Sequence, residues 1–559
     1  MARRYFLGSE DAESDDLLHT CFVRPPNDLS DKSIIAGRWG TGKTAYMLHK
    51  TRDLDRFLTG VDPTQEQIWY IAENSLEVPS IQTLRKLFDH DDDSIRSFLE
   101  KVWETAIVTS YISQLQLIRR RFTPARKAHW NNIDLTYSTN IQSTPVWQSL
   151  KHIISGAVGL DRGSAVTDFI NAIAPLTGKG IRKDIMSCID DIPSNLPKPI
   201  VAVEPIETPG SSGTIGGQRA DILITCLLNT FQKFKSVERG RSINLLVAIP
   251  WHRYNESRLD RPQKLIQHIA HIKWEKSRLR GLINRRLNYE LIHSRRGGFE
   301  LPGGIDEWDF VFGKHIKNPK VGVVENTFEY VLRHTHYRTR ELMRFARRAA
   351  EIEANEADKS VFEVLIRKND RIISETSVRA AVEEESRTTA KERIVEGNRL
   401  YDEVEVIVEA LKNMPCPFSI DEAGKRLAYI EEEVAKVGVI KSMDMLWSCG
   451  IIGAVITAND ADQARYIESK YGSATKAANL PRYKKRRSIA ADVNEYGYKK
   501  QGKFRFFVFE HNTPRDDVNV TDLDKYGSDK EGVTVEWVFH PMMFEYLGIR
   551  LKNDYVVGT

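Results

Sequence analysis

The sequence predicts an α/β fold built on a parallel sheet. Two observations carry this. Short, almost wholly apolar runs recur at Ser33-Ile34-Ile35-Ala36, Gln67-Ile68-Trp69-Tyr70-Ile71-Ala72, Pro199-Ile200-Val201-Ala202-Val203-Glu204 and Ile243-Asn244-Leu245-Leu246-Val247-Ala248-Ile249. Helix-compatible segments separate them, and apolar strands that alternate with helices belong to parallel sheets covered on both faces.

The elements follow in order. Ala45 to Leu58 reads as a helix, with Tyr46, Met47 and Leu54 on one face, and Gly60-Val61-Asp62-Pro63 ends it. Residues from about 75 to 195 are charged and mostly helical in pattern, which predicts a helical insertion. A Gly/Ser-rich loop, Pro209-Gly210-Ser211-Ser212-Gly213, precedes a helix over Arg219–Phe234 with apolar positions at Ile222, Leu223, Leu227 and Phe231. The expected organisation is a core over 1–304, a helical segment over 305–355, a charged helical connector over 356–395 and a C-terminal domain over 396–559. In the last, three helices precede the strands Phe504–Phe509 and Val533–Phe539. Helices followed by a β-hairpin suggest a winged helix-turn-helix.

Bulk numbers bound the rest. A chain of 559 residues exceeds what one core supports, roughly 250–300 residues. The 81 basic and 77 acidic side chains nearly cancel, so the chain as a whole does not read as a nucleic-acid binder. The five cysteines are scattered, with no C-x-x-C pair, which argues against a disulfide framework or zinc site and for a reducing, cytoplasmic setting. The first residues turn acidic before any apolar run, unlike a signal peptide, and no stretch approaches the ~20 apolar residues of a membrane helix.

One motif is sharp. Gly37-Arg38-Trp39-Gly40-Thr41-Gly42-Lys43-Thr44 fits G-x-x-x-x-G-K-[ST] at every fixed position, between an apolar strand and a helix. Chance alone gives such a match about once in fifty chains of this length. Glycines at 37, 40 and 42 let the backbone fold tightly with its N–H groups turned inward, and the helix that follows from Ala45 adds the positive end of its dipole, so Thr41 to Ala45 join the glycines as candidate binding residues. Lys43 reaches β- and γ-phosphates in such loops, and the Thr44 hydroxyl holds Mg²⁺. The expected ligands are therefore ATP and Mg²⁺. No guanine-reading N-K-x-D motif is present. An acidic partner at a neighbouring strand end is required, and Glu204 is the candidate, with Glu207 three residues on to position water; the plainer reading is that both are loop acids.

With these residues in place the chain resembles the AAA+/STAND branch of P-loop ATPases, especially origin-recognition-like ATPases and bacterial relatives, several of which lie in phage-defence loci. Phe6-Leu7-Gly8 with Asp11-Ala12-Glu13 resembles the family's lead-in near the adenine. Glu204-Pro205-Ile206-Glu207 falls where the family has two aspartates at the same spacing, so the resemblance implies slow hydrolysis or an altered metal arrangement. Ile243–Ile249 resembles the sensor-1 strand, with His252 or Arg253 at the polar position, and Trp274–Arg286 the helix after it. Arg338-Thr339-Arg340-Glu341-Leu342 resembles the sensor-2 segment of a helical lid, with Arg340 the favoured arginine for the γ-phosphate; that both arginines are solvated surface groups stays open. His540 to Leu547 resembles the close of a winged-helix domain.

The resemblance implies an ATP-driven switch that orients a C-terminal DNA- or protein-binding domain. Homo-oligomerisation would let Arg285 or Arg286 complete a neighbour's site. Two rivals stand beside it: a nucleic-acid-binding module with structural ATP, and a nucleotide-gated protein scaffold. Lys484-Lys485-Arg486-Arg487 is the basic run a phosphate backbone would meet, unless it is a solvated loop. Arg119-Arg120-Arg121, Arg344, Arg347 and Arg348 read as helix faces, and Asp89–Asp93 as a loop.

Overall fold

A computed structural model describes residues 6–25, 29, 31–61, 69–72, 84–86, 88, 91–119, 124–140, 174, 178–204, 214–235, 244–251, 263–294, 301, 303–318, 324–357, 360–365, 372–398, 400–429, 438–458, 463, 467, 493–494, 497–500, 503–509, 520, 523–525 and 533–551. Glu207, the loop Pro209–Gly213, Asp89 with His90, Arg120 with Arg121, His252 with Arg253, and the basic run Lys484–Arg487 lie outside these residues. The chain divides into two units, Arg24–Ile272 and Met1–Val23 with Lys273–Thr559.

In the unit Arg24–Ile272 the main elements are β1 (Ile34–Gly37), α1 (Lys43–Val61), β2 (Tyr70–Ala72), α2 (Asp92–Ile118), α3 (Pro124–Asn140), α4 (Lys179–Asp190), β3 (Val201–Glu204), α5 (Thr214–Lys235), β4 (Leu245–Pro250) and β5 (Ile269–His271). The five strands form one sheet in the order β2-β3-β4-β1-β5, every neighbour parallel. The α/β class with a parallel sheet thus matches the sequence expectation. β1 and β4 are buried at every position, which is why they read as continuous apolar runs. The fifth strand, β5, is one that the sequence pattern does not predict. Ile269-Ala270-His271 is short and only its centre is buried, so it carries too little apolar signal to register.

The helical insertion is built into the sheet rather than appended to it. Trp103 of α2 is fully buried, and its indole N–H donates to Leu223 O on α5 at 3.1 Å. Gln114 of α2 binds both backbone groups of Ile200: its side-chain amide donates to the carbonyl at 3.0 Å, and its oxygen accepts from the N–H at 3.3 Å. Ile200 immediately precedes β3, so α2 is tied to the backbone at the start of the strand that ends in Glu204.

In the other unit, α6 (Lys276–Ser294), α7 (Thr339–Glu356) and α8 (Glu375–Asn398) are long helices. They are followed by α9 (Val404–Ala410), α10 (Ile420–Leu427), α11 (Val439–Ser448), β6 (Ile452–Ala458), β7 (Val493–Asn494), β8 (Gly497–Lys500), β9 (Lys503–Phe509), β10 (Val533–Phe539) and α12 (Met543–Leu547). The segment expected as a connector, 356–395, supplies most of α8, which packs along α7. Arg344 bridges Glu385 at 2.9 Å and Glu392 at 2.7 Å, and Arg348 meets Glu384 at 2.6 Å. α10 opens with a capping box between Ser419 and Glu422, the two reciprocal hydrogen bonds that satisfy a helix start.

The C-terminal strands depart from expectation. Phe504–Phe509 and Val533–Phe539 do not form a hairpin. Both pair antiparallel with β6, one along each edge, in a sheet ordered β7-β8-β9-β6-β10. All seven residues of β6 are buried. A strand buried on both faces shows no alternation, so the sequence pattern does not mark this stretch as a strand. Among the described residues, what stands is three short helices followed by an antiparallel sheet.

Candidate functional site at the mouth of the parallel sheet

β1 ends at Gly37 and α1 begins at Lys43, so five residues turn the chain from strand into helix at the carboxyl edge of the sheet. Gly40 and Gly42 take φ of 72° and 88°, in the left-handed region where a side chain is costly. Gly37 is required for a different reason: a Cβ there would lie 2.7 Å from Thr41 Oγ1. That hydroxyl is committed, donating to Arg38 O at 2.7 Å. The first helical backbone bond runs from Tyr46 N–H to Gly42 O at 3.0 Å. The amides of a helix's first turn have no intrahelical acceptor and face outward with the positive end of the dipole, the arrangement that binds phosphate.

Lys43 is buried, with its ammonium donating to Gly37 O at 3.1 Å and Arg38 O at 3.0 Å. Its charge is therefore placed over the turn instead of extending into solvent. Thr44 follows on the first turn of α1 and donates to Glu204 Oε1 at 2.8 Å and Oε2 at 2.9 Å. Ala45 continues the helix beside it. Glu204 is the last residue of β3, and β4 lies between β3 and β1. The connections leaving β1 and β4 run in opposite directions along the sheet, β1 toward β2 and β4 toward β5. Such a reversal opens a crevice at the carboxyl ends of the strands, where ligands of open α/β sheets bind.

The structure thus brings together Gly37, Gly40, Thr41, Gly42, Lys43, Thr44, Ala45 and Glu204. It adds a residue that the sequence did not single out: Tyr70 of β2 donates its phenol to Glu204 Oε2 at 2.8 Å. The signal for it was a strand end with a long polar-tipped side chain beside the acidic strand, visible only once β2 and β3 are known to pair. A hydroxyl and a carboxylate held together are hard oxygen donors of the kind Mg²⁺ takes from a protein when phosphates and water complete its octahedron, so Thr44 and Glu204 fit that ion. Among the described residues no group of three or more His, Cys, Asp or Glu is placed to hold a metal.

The candidate arginines lie in the other unit. Arg340 sits on the first turn of α7 with its side chain 46% exposed, 3.6 Å from Asp11. Arg338 is not a surface group: it is buried, 3.2 Å from Glu396 and 3.7 Å from Glu341. Arg286 is likewise buried, donating to Leu7 O at 2.6 Å and to Asp15 at 2.6 Å, whereas Arg285 bonds Phe22 O at an exposed position. The lead-in Phe6-Leu7-Gly8 is tied down by Arg347, which donates to Phe6 O at 3.1 Å and Gly8 O at 2.6 Å. Burial pulls the Glu341 carboxyl up, but Arg338, Arg393 and the His336 N–H outweigh it and hold the group below the ordinary carboxylate range.

All five cysteines are buried and unbridged. Among the described residues no helix is long and apolar enough to cross a membrane. Compared with known protein families, curated proteins and solved structures, the chain gives no match to any.

Proposed function

We propose that this chain is a P-loop ATPase of the AAA+/STAND type: it binds ATP with Mg²⁺ on the turn between β1 and α1 and hydrolyses it slowly, as a switch for its C-terminal domain. The observation that carries the reading is the hydrogen bond between Thr44 and Glu204. Two residues singled out for one metal, far apart in sequence and separated by a strand in the sheet, meet at the mouth of the glycine turn. A chance match to the motif carries no reason for that meeting.

In this reading the backbone of Gly40 to Thr44 cradles the phosphates, and Lys43 offsets the charge that grows on the β- and γ-phosphate oxygens. Thr44 and Glu204 hold the metal, which when bound neutralises phosphate charge and orients the leaving group. Glu207 is proposed to orient the attacking water, and Arg340 to reach the γ-phosphate from the helical lid. The three helices and sheet after residue 396 are proposed to be winged-helix-like and to engage DNA or protein, with homo-oligomers forming through the ATPase face, in a role such as phage defence.

The test is a titration of ATP against wild type and Lys43→Ala, with released phosphate followed in parallel. Saturable, Mg²⁺-dependent binding that Lys43→Ala abolishes is expected, with slow turnover. A wild type that binds no nucleotide, or a Lys43→Ala variant that binds as well, overturns the reading.

A further inference from the structure

The geometry points to Tyr70 as a positioning residue that sets the reach of Glu204 toward the metal, an inference that rests on the nucleotide site proposed above. The sheet register shows why a positioner is needed. Val203 and Ile34 both stand opposite Val247 of β4. Glu204 is therefore level with Ile35, two residues short of Gly37 where the turn begins. The side chain must climb to meet Thr44. A glutamate is longer than an aspartate by one C–C bond, about 1.5 Å, and that length comes with an additional rotatable bond that something must fix.

Tyr70 fixes it. In the parallel pairing of β2 with β3, Tyr70 lies opposite Ala202 and Ala72 opposite Glu204, so Tyr70 and Glu204 are diagonal neighbours on one face of the sheet. That separation is within reach of an aromatic side chain. Ala202, buried and carrying only a methyl group, leaves the diagonal clear. The phenol then donates to Oε2 at 2.8 Å while Thr44 donates to both oxygens, so the carboxylate is gripped from the β2 side and from the α1 side at once. Loss of a partner that orients a ligating carboxylate typically costs about 10–100-fold in metal affinity. The phenol also fixes the plane of the carboxylate, which decides which oxygen faces the metal.

Tyr70→Phe removes the donor and keeps the ring. Binding of a fluorescent ATP analogue is followed at stepped Mg²⁺ concentrations and, separately, with the metal chelated. The half-saturating Mg²⁺ concentration is expected to rise about ten-fold, with metal-free nucleotide affinity unchanged. In a Glu204→Asp background the shorter arm no longer reaches the phenol, and Tyr70→Phe is expected to add nothing. A Mg²⁺ dependence equal to wild type, while Lys43→Ala still abolishes binding, overturns the role of Tyr70 and leaves the nucleotide site standing. An equal cost of Tyr70→Phe in both backgrounds, or a loss of metal-free affinity, overturns it too, since the tyrosine then acts by some route other than Glu204. A wild type without nucleotide binding takes both down.

Discussion

Thr44 donates its hydroxyl to both carboxylate oxygens of Glu204, at 2.8 and 2.9 Å, across a strand that contributes neither residue. The contact joins the start of α1 to the end of β3. Where the carboxylate orients a metal and its water, Glu204→Gln is expected to lower ATP turnover roughly a hundred-fold. Nucleotide affinity in chelator is expected to hold or rise, because a like charge beside the phosphates has been removed. Parallel phosphate-release and binding assays read the two effects.

Gly37 is constrained by space. A methyl group at that position meets Thr41 Oγ1 at 2.7 Å and displaces a hydroxyl already bonded to Arg38 O. Gly37→Ala is expected to cost about 1 kcal/mol of loop organisation, roughly a five-fold loss in nucleotide affinity. The melting temperature should move little, which calorimetry on the same samples checks.

The motif and the strands around it were legible in the sequence because each is defined locally: glycines at fixed spacing, then apolar runs of four to seven residues. Glu204 was legible because it closes such a run. Tyr70 was not, since its relevance depends on β2 pairing with β3, a contact between residues 134 apart in sequence. β6 was not legible either, since burial on both faces erases the alternation that marks a strand. The buried state of Arg338 was hidden because a charged residue in a basic stretch reads as solvated until its acidic partner, here Glu396 from the next long helix, is known.

That partner set makes α7 and α8 one electrostatic unit. Arg393 lies 2.8 Å from Glu341, both buried, with Arg338 beside Glu396. Glu341→Gln strands arginine charge in a dry interior and is expected to cost about 3–5 kcal/mol. Glu341→Leu combined with Arg393→Leu leaves the Arg338–Glu396 pair balanced and is expected to cost less than the single change. Urea denaturation of the three proteins orders them.

Acid should dissolve the same network. Glu341 is held below the ordinary carboxylate range in the folded chain, and Glu396 likewise, burial being outweighed in each by Arg338 and Arg393. A depressed folded value means the unfolded chain takes up the proton first. Their contribution is therefore complete above the ordinary carboxylate range and drains away as pH falls through it toward the depressed folded values. Stability against pH for wild type and Glu341→Gln is expected to differ most at neutral pH and to converge in acid.

The place of β10 has a consequence for how the chain is made. β6 is complete by Ala458, yet one of its two edges is closed only by Val533–Phe539, which begins 75 residues later (533 − 458). Until that strand emerges from the ribosome, a row of unpaired amides and carbonyls stands open along one edge of β6. A chain cut short before Val533 lacks the strand that closes this edge and is expected to aggregate, whatever the condition of the phosphate loop.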